Sequence, residues 1–337
     1  MSYTSVCMQK VKLAMEKGML PQDYSSYVED LCEGAVRGRD LESFSSIDEW
    51  IEWLAWSTAV LDEQDYLTAA VHALSLAPKL AGTDYGTARQ RDLGQLWTDT
   101  IRGFLGEIAF VKWLKQKFGV GAELDYRKGP LEEFLPSDIE KVENRPPRLN
   151  ISIKTTKLGG IWLDIPYKQI EHSDIFILVR IGVTREHFLA FLKKISVIRD
   201  KILERAIEIG IITSGELENI WRTVPDFTNI PAYIAGFFDK REYGASVKKL
   251  DSIFLVDGEM KTKRFIISKF SGYWHPKQDA YRRKVIELLR RQGKSVQENI
   301  KFEFEGIGEF SSTLHFVVSS GVLKRKREEW EKLLREI

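Results

Sequence analysis

Three side chains in the middle of this chain combine charge type and spacing in a way that suits catalysis. Glu107 lies in Arg102-Gly103-Phe104-Leu105-Gly106-Glu107-Ile108, Asp138 in Pro136-Ser137-Asp138-Ile139, and Lys154 in Leu149-Asn150-Ile151-Ser152-Ile153-Lys154. Carboxylates are the oxygen ligands that hard divalent cations prefer, and an ammonium beside them can orient a water and neutralise an anionic substrate. Such chemistry requires elements that hold the three groups together. Phe104, Ile108, Val111, Leu114 and Phe118 recur at helical spacing, so one face of a helix packs inward. Gly103 and Gly106 permit that helix a close approach to a sheet, next to Glu107. Leu149, Ile151 and Ile153 alternate with Asn150, Ser152 and Lys154, the pattern of a strand that sends Ser152 and Lys154 out on one face. Asp138 opens a shorter Asp-Ile-Glu-Lys-Val-Glu strand, expected to pair with it through the turn around Arg145-Pro146-Pro147.

Each residue alone has a plainer reading: Glu107 as a solvated helix acid, Asp138 as a turn residue, Lys154 as a strand-face lysine. Their order is what carries information. A helix carboxylate, a strand Asp and a neighbouring strand ending in x-x-Lys resembles the PD-(D/E)xK nuclease superfamily, and within it looks most like a type II restriction endonuclease. The pattern takes Pro136 and Asp138 as its Pro-Asp pair, with Ser137 inserted, and covers residues from about 100 to 195. The resemblance implies an α/β fold, a restriction-endonuclease-like core with a mixed central sheet flanked by helices. It also implies Mg²⁺-dependent hydrolysis of double-stranded DNA at a specific site, by a homodimer with one active site per strand. Asp138 and the backbone carbonyl of Ile153 would then hold the metal, Lys154 would sit beside the attacking water, and Glu107 would be the acid of the preceding helix.

Ser152 departs from the pattern, since it falls where the family has Asp or Glu. Some restriction enzymes resembling this pattern draw the missing carboxylate from the following helix, which here offers Glu171, with Asp164 as its rival. Thr155, Thr156 and Lys157 follow the motif and would contact phosphates. Two alternatives stay open: a structure-specific or modification-dependent nuclease, and a DNA-binding protein whose active site has decayed.

Composition sets the frame. The 337 residues are 43% hydrophobic and include nine Trp, enough for a sizeable core in one large or two smaller domains. No apolar run reaches membrane-spanning length, and the first residues lack the apolar stretch of a secretory signal. Cys7 and Cys32 are too few for a disulfide framework or a cysteine zinc site. A soluble cytoplasmic protein is the expectation. The net charge of +1 conceals an asymmetry: residues 1–100 hold eight Lys and Arg against sixteen Asp and Glu, and residues 236–301 hold the reverse. A basic rear suits a polyanion; Arg282 and Arg283, near Tyr273-Trp274-His275, are its foremost candidates for DNA contact. A glycine-rich phosphate loop is absent, which argues against an NTP motor, and the five His are scattered.

The expected organisation is a helical region over 1–95, a nuclease-like core over 96–235 and a basic α+β region over 236–337. Ser46-Ile47-Asp48-Glu49 is a capping-box start for a helix over Trp50–Leu61, whose Trp50, Trp53 and Trp56 read as core. Residues 81–86 form a boundary loop. The unbroken run Ile175-Phe176-Ile177-Leu178-Val179 reads as a strand buried on both faces.

Overall fold

Apolar periodicity along residues 93–118 and 151–181 builds the centre of the molecule. The computed structural model describes residues 2–81, 92–126, 137–310 and 313–337; Pro136 and positions 82–86 of the expected boundary loop lie outside them. The front of the chain forms helices α1 (Tyr3–Glu16), α2 (Val28–Arg37) and α3 (Ile47–Ser57), strand β1 (Thr58–Leu61) and helix α4 (Glu63–Ala81). Ser46 caps α3 as its sequence predicts, accepting the Glu49 N–H at 3.1 Å. The helix expected to run to Leu61 stops at Ser57, and Thr58–Leu61 pairs antiparallel with a later strand. Sheet pairing there overrides the helical periodicity that precedes it.

Next come the 26-residue helix α5 (Leu93–Phe118), β2 (Ala122–Leu124), β3 (Ile139–Val142), β4 (Ile151–Lys157), β5 (Trp162–Pro166), α6 (Tyr167–His172) and β6 (Ile175–Ile181). Asp92 caps the start of α5, and Gly119, at a φ of 69° open to glycine, ends it. The chain continues through α7 (Arg185–Lys194), α8 (Glu204–Glu208), α9 (Ser214–Thr223), β7 (Ile230–Asp239), β8 (Ile253–Lys261), β9 (Arg264–Trp274), α10 (Asp279–Arg291), β10 (Lys301–Phe304), β11 (His315–Ser319) and α11 (Arg327–Glu336).

These strands make two principal sheets. The first has the order β1-β7-β6-β4, with β6 and β4 parallel and the other pairs antiparallel. All seven residues of β6 are buried, as its apolar run predicts. The second sheet has the order β10-β9-β11-β5, with β8 alongside β9. Strand β5 thus leaves its sequence neighbours to join strands from the end of the chain, and β1 reaches from the front into the first sheet. The molecule is a mixed α/β protein whose sheets are flanked by helices.

One core lies between the first sheet and α4, α5 and α11, where Leu105, Trp113, Ile153, Ile177 and Trp330 pack together. Trp113 sits edge-on to Trp330, ring centres 4.9 Å apart. A second core joins the other face of that sheet to α1–α3, α10 and the second sheet. Trp50 and Trp53 are buried in it as core residues, and Trp56 is partly buried against it.

Candidate active site

Close packing of α5 on β4 is what brings the charged groups together. A Cβ added at Gly106 would lie 1.9 Å from Thr155 Oγ1, so only glycine lets the helix sit this close. The Thr155 hydroxyl donates to the Gly103 carbonyl at 3.3 Å, across the same contact. Glu107 follows Gly106 on the helix and comes to the region where, among the described residues, β4 has no strand partner on its outer side.

That free edge is occupied by the segment leading into β3. Asp138 N–H donates to Ile151 O at 2.7 Å, and Ile153 N–H donates to the Asp138 carboxylate at 2.6 Å. The Ser137 hydroxyl accepts from the N–H groups of Ile139 and Ile151, both at 3.2 Å. Asp138 is therefore clamped against β4 by three neighbouring residues. The pairing expected between the Asp138 strand and β4 is limited to these bonds; β3 pairs instead with β2, which the sequence did not announce. Because Ile153 points its N–H outward to Asp138, its carbonyl lies along the same free edge.

The electrostatics confirm proximity. Burial pushes the Glu107 carboxyl well above the ordinary range, Asp138 and Asp125 add repulsion, and the Lys154 ammonium opposes them. Asp138 is raised by the same combination: burial first, Asp125 adding to it, and Lys154, the Ile153 N–H and the Ser152 hydroxyl working against it. Glu107, Asp138 and Lys154 thus share one neighbourhood. Ser152 is buried beside Asp138, where it offers a hydroxyl and no charge.

Asp125 is the residue that sequence reasoning missed. It is buried, and its N–H donates to the Asp138 carbonyl at 2.9 Å. The three-residue strand β2 before it is too short to show alternation. Tyr126 beside it stacks on His72, with ring centres 3.7 Å apart and planes inclined by 6°. Burial, with Glu107 and Asp65 adding to it, raises the Tyr126 hydroxyl to about 12.

Other expected residues lie elsewhere or serve other contacts. Glu171 is bound by the Tyr167 hydroxyl in a separate cavity under α6, because α6 packs over β5 and β11 instead of over β4. Asp164 lies inside β5, facing His315 Nδ1 at 2.6 Å across the β5–β11 pair. Neither supplies the carboxylate that Ser152 lacks. Thr155 is turned to α5, as its bond to Gly103 requires. Thr156 packs against Gly160, where a Cβ would stand 2.1 Å from its hydroxyl. Lys157 is exposed at the end of β4. Arg282 donates to the carbonyls of Glu298 and Ile300, fastening the loop after α10. Arg283 lines an open groove of about 800 Å³ on the same helix.

The donor set suits a hard cation: it consists of carboxylate and carbonyl oxygens, and carboxyls pushed up first by burial and then by neighbouring acids are what a cation would relieve. Among the described residues, no group of three or more His, Cys, Asp and Glu is arranged to ligate one ion. Mg²⁺ does not need such a cage, since one or two carboxylates with substrate oxygens and water suffice. No protein-family model, curated protein or solved structure matches this chain. Among the described residues, no helix is long and apolar enough to cross a membrane.

Proposed function

We propose that the protein is a Mg²⁺-dependent endonuclease hydrolysing phosphodiester bonds of double-stranded DNA, with the α5–β4–β6 region as a restriction-endonuclease-like core. One observation carries the reading: Glu107 and Asp138, both held above the ordinary carboxyl range by burial, share the free edge of β4 with Lys154. An arrangement that repels its own charge is disfavoured by folding alone, and such perturbed acids gather at functional sites.

Asp138 and the Ile153 carbonyl would hold the metal, with Glu107 as the further acid. A bound Mg²⁺ would supply Lewis acidity at the phosphate and a more acidic water. Lys154 orients the attacking water and neutralises the charge that builds on the phosphate. Lys157, exposed just beyond, contacts the backbone and sets register without reading sequence. Two strands cut at a symmetric site need two such centres, hence a homodimer.

The test is incubation of supercoiled plasmid with Mg²⁺ or EDTA. Discrete fragments that depend on Mg²⁺ and vanish with Lys154→Ala or Asp138→Ala support the reading. Intact plasmid under all conditions removes it. Ser152 favours a second reading, because a buried hydroxyl leaves the site one carboxylate short of the family pattern: DNA that is bound but never cut marks a binding protein with a decayed centre.

A further inference from the structure

We propose that the lobe formed by residues 195–224, on the excursion between β6 and β7, is the surface on which a second copy of this chain docks. Only the need for a pair rests on the two-centre reading above. The lobe holds a π-helical turn (Ile198–Leu203), α8 and α9, and Leu217 is its single buried residue. Helices this short are marginal in water and draw their stability from a covered apolar face. Here the apolar side chains meet water instead: Val197, Ile202, Ile209, Ile211 and Ile220 are 39% to 69% exposed. Every exposed isoleucine among the described residues lies in this lobe except Ile307. Gly210, at a φ of 74°, ends α8 and turns the chain between Ile209 and Ile211. The Arg199 guanidinium lies 5.6 Å from the Trp221 ring centre and 3.6 Å from the Glu218 carboxylate, tying the π-helical turn to α9. Exposed pairs of this kind hold a fold weakly. Apolar patches left open on a single chain mark interaction sites.

The charges decide the occupant. Residues 195–224 carry four Lys and Arg against five Asp and Glu. A polyanion calls for a basic excess, and so does an anionic lipid surface that takes up an amphipathic helix. Neither fits this lobe, and a protein face with both signs in balance does. Arg199 is paired with Glu218, and Arg205 with Glu208. Asp200 and Glu204 on one side, Lys201 and Arg222 on the other, are exposed and enter neither pair. Two open acids and two open bases around an apolar patch complement themselves. In an isologous contact residue i meets j and j meets i, so a surface balanced in this way attracts its own copy. Lys201 and Glu204 stand about one turn apart where the π-helical turn runs into α8. An antiparallel crossing of the two segments then brings Lys201 of each copy to Glu204 of the other.

The experiment is sedimentation velocity on the full-length chain, in EDTA and without DNA, from low to high micromolar concentration. The chain should pass from monomer to dimer over that range. Ile209→Asp combined with Ile211→Asp, at two positions the fold leaves exposed, should weaken the dimer about a hundredfold, as loss of central apolar anchors does. Lys201→Glu and Glu204→Lys should each associate about tenfold more weakly, because like charges then face one another. Mixed in equal amounts, these two variants should regain the parent affinity, since each supplies the sign the other lacks; a purely structural role would give no such rescue. A dimer that leaves plasmid uncut overturns the nuclease and keeps the surface, and a monomer that cuts plasmid overturns the surface alone. A chain that stays monomeric throughout the range, a dimer that survives the paired Asp substitutions, or a mixture that associates no better than its components each refutes the proposal.

Discussion

Two clusters of charge sit on neighbouring strands of the same sheet, and they are built on opposite terms. Arg180 of β6 lies one strand over and two residues along from Lys154, since Leu178 pairs with Lys154 and Arg180 with Thr156. Its guanidinium donates to Asp40 at 2.6 Å and to the Ser320 hydroxyl at 2.7 Å, and Arg325 reaches the other Asp40 oxygen at 3.3 Å. All three charges are fully buried. Burial alone would push the Asp40 carboxyl up, but Arg180 and Arg325 outweigh it and hold the carboxyl below its ordinary value. Around Lys154 the balance is reversed: Glu107 and Asp138 are raised, because one ammonium does not offset burial and the other acids. The first cluster joins the front of the chain, the sheet and the rear into one body. The second leaves a demand for positive charge that an external cation can meet. A buried charge is therefore informative only together with its partners.

The comparison breaks most easily at Asp40. Asp40→Ala leaves two guanidiniums buried without a counter-charge and should cost about 3–5 kcal/mol, the usual effect of removing one partner of a buried pair. Urea unfolding measures it, and an unchanged midpoint would show that the network contributes nothing to stability. Lys154→Ala should act on the reaction instead. Losing a positioned charge-stabilising donor lowers the cleavage rate by roughly 10²–10³-fold, read in a plasmid time course, while the unfolding midpoint falls far less than for Asp40→Ala.

Much of this frame can be read from the residues, and the exceptions have physical causes. The periodicity of Phe104, Ile108 and Val111 defines α5, the alternation of Ile151 and Ile153 defines β4, and both elements need only their own neighbours to be recognised. The end of α3 does not show, because Thr58–Leu61 becomes a strand through pairing with Tyr233–Ile230, far along the chain. Trp162-Leu163-Asp164-Ile165 alternates as a strand should, but nothing local says that its partner is β11. That pairing carries Asp164 to His315, and the packing of α6 over β5 and β11 takes Glu171 into its own cavity. Glu107, Asp138 and Lys154 meet because α5 and β4 are locally specified. Asp125 escaped notice because its position depends on a backbone bond to Asp138 and on no periodicity of its own.

Acidity offers a way to sharpen the contrast. The Glu107 and Asp138 carboxyls are raised in the fold, so the folded state holds their protons more tightly than the unfolded chain. Their contribution to stability is fully present below their unfolded values, roughly 4, and is lost as pH rises through the folded ones. Asp40 runs the other way: its contribution is present above its unfolded value and is lost as pH falls through the depressed folded one. Mg²⁺ should therefore raise the melting temperature more at pH 7 than at pH 5. At a hundred times its dissociation constant it would add about 2.7 kcal/mol. A shift that is the same at both pH values would place the cation away from these acids.

The smallest effect tests the site without any assay of cleavage. Glu107→Gln keeps the size of the side chain and removes a carboxylate that burial and Asp138 disfavour. In EDTA at pH 7 the variant should be more stable than the parent, by on the order of 1 kcal/mol, since a carboxyl pKa raised by one unit is worth about that much and partial solvation of Glu107 screens it. The gain should disappear near pH 4, where the parent carboxyl is protonated, and Mg²⁺ should stabilise the variant less than the parent. Substitution by Gln usually weakens a structural acid, so the sign alone separates the two readings. A destabilised Glu107→Gln would mean that Glu107 is held by bonds that favour its charge, and the contrast with Asp40 would fall.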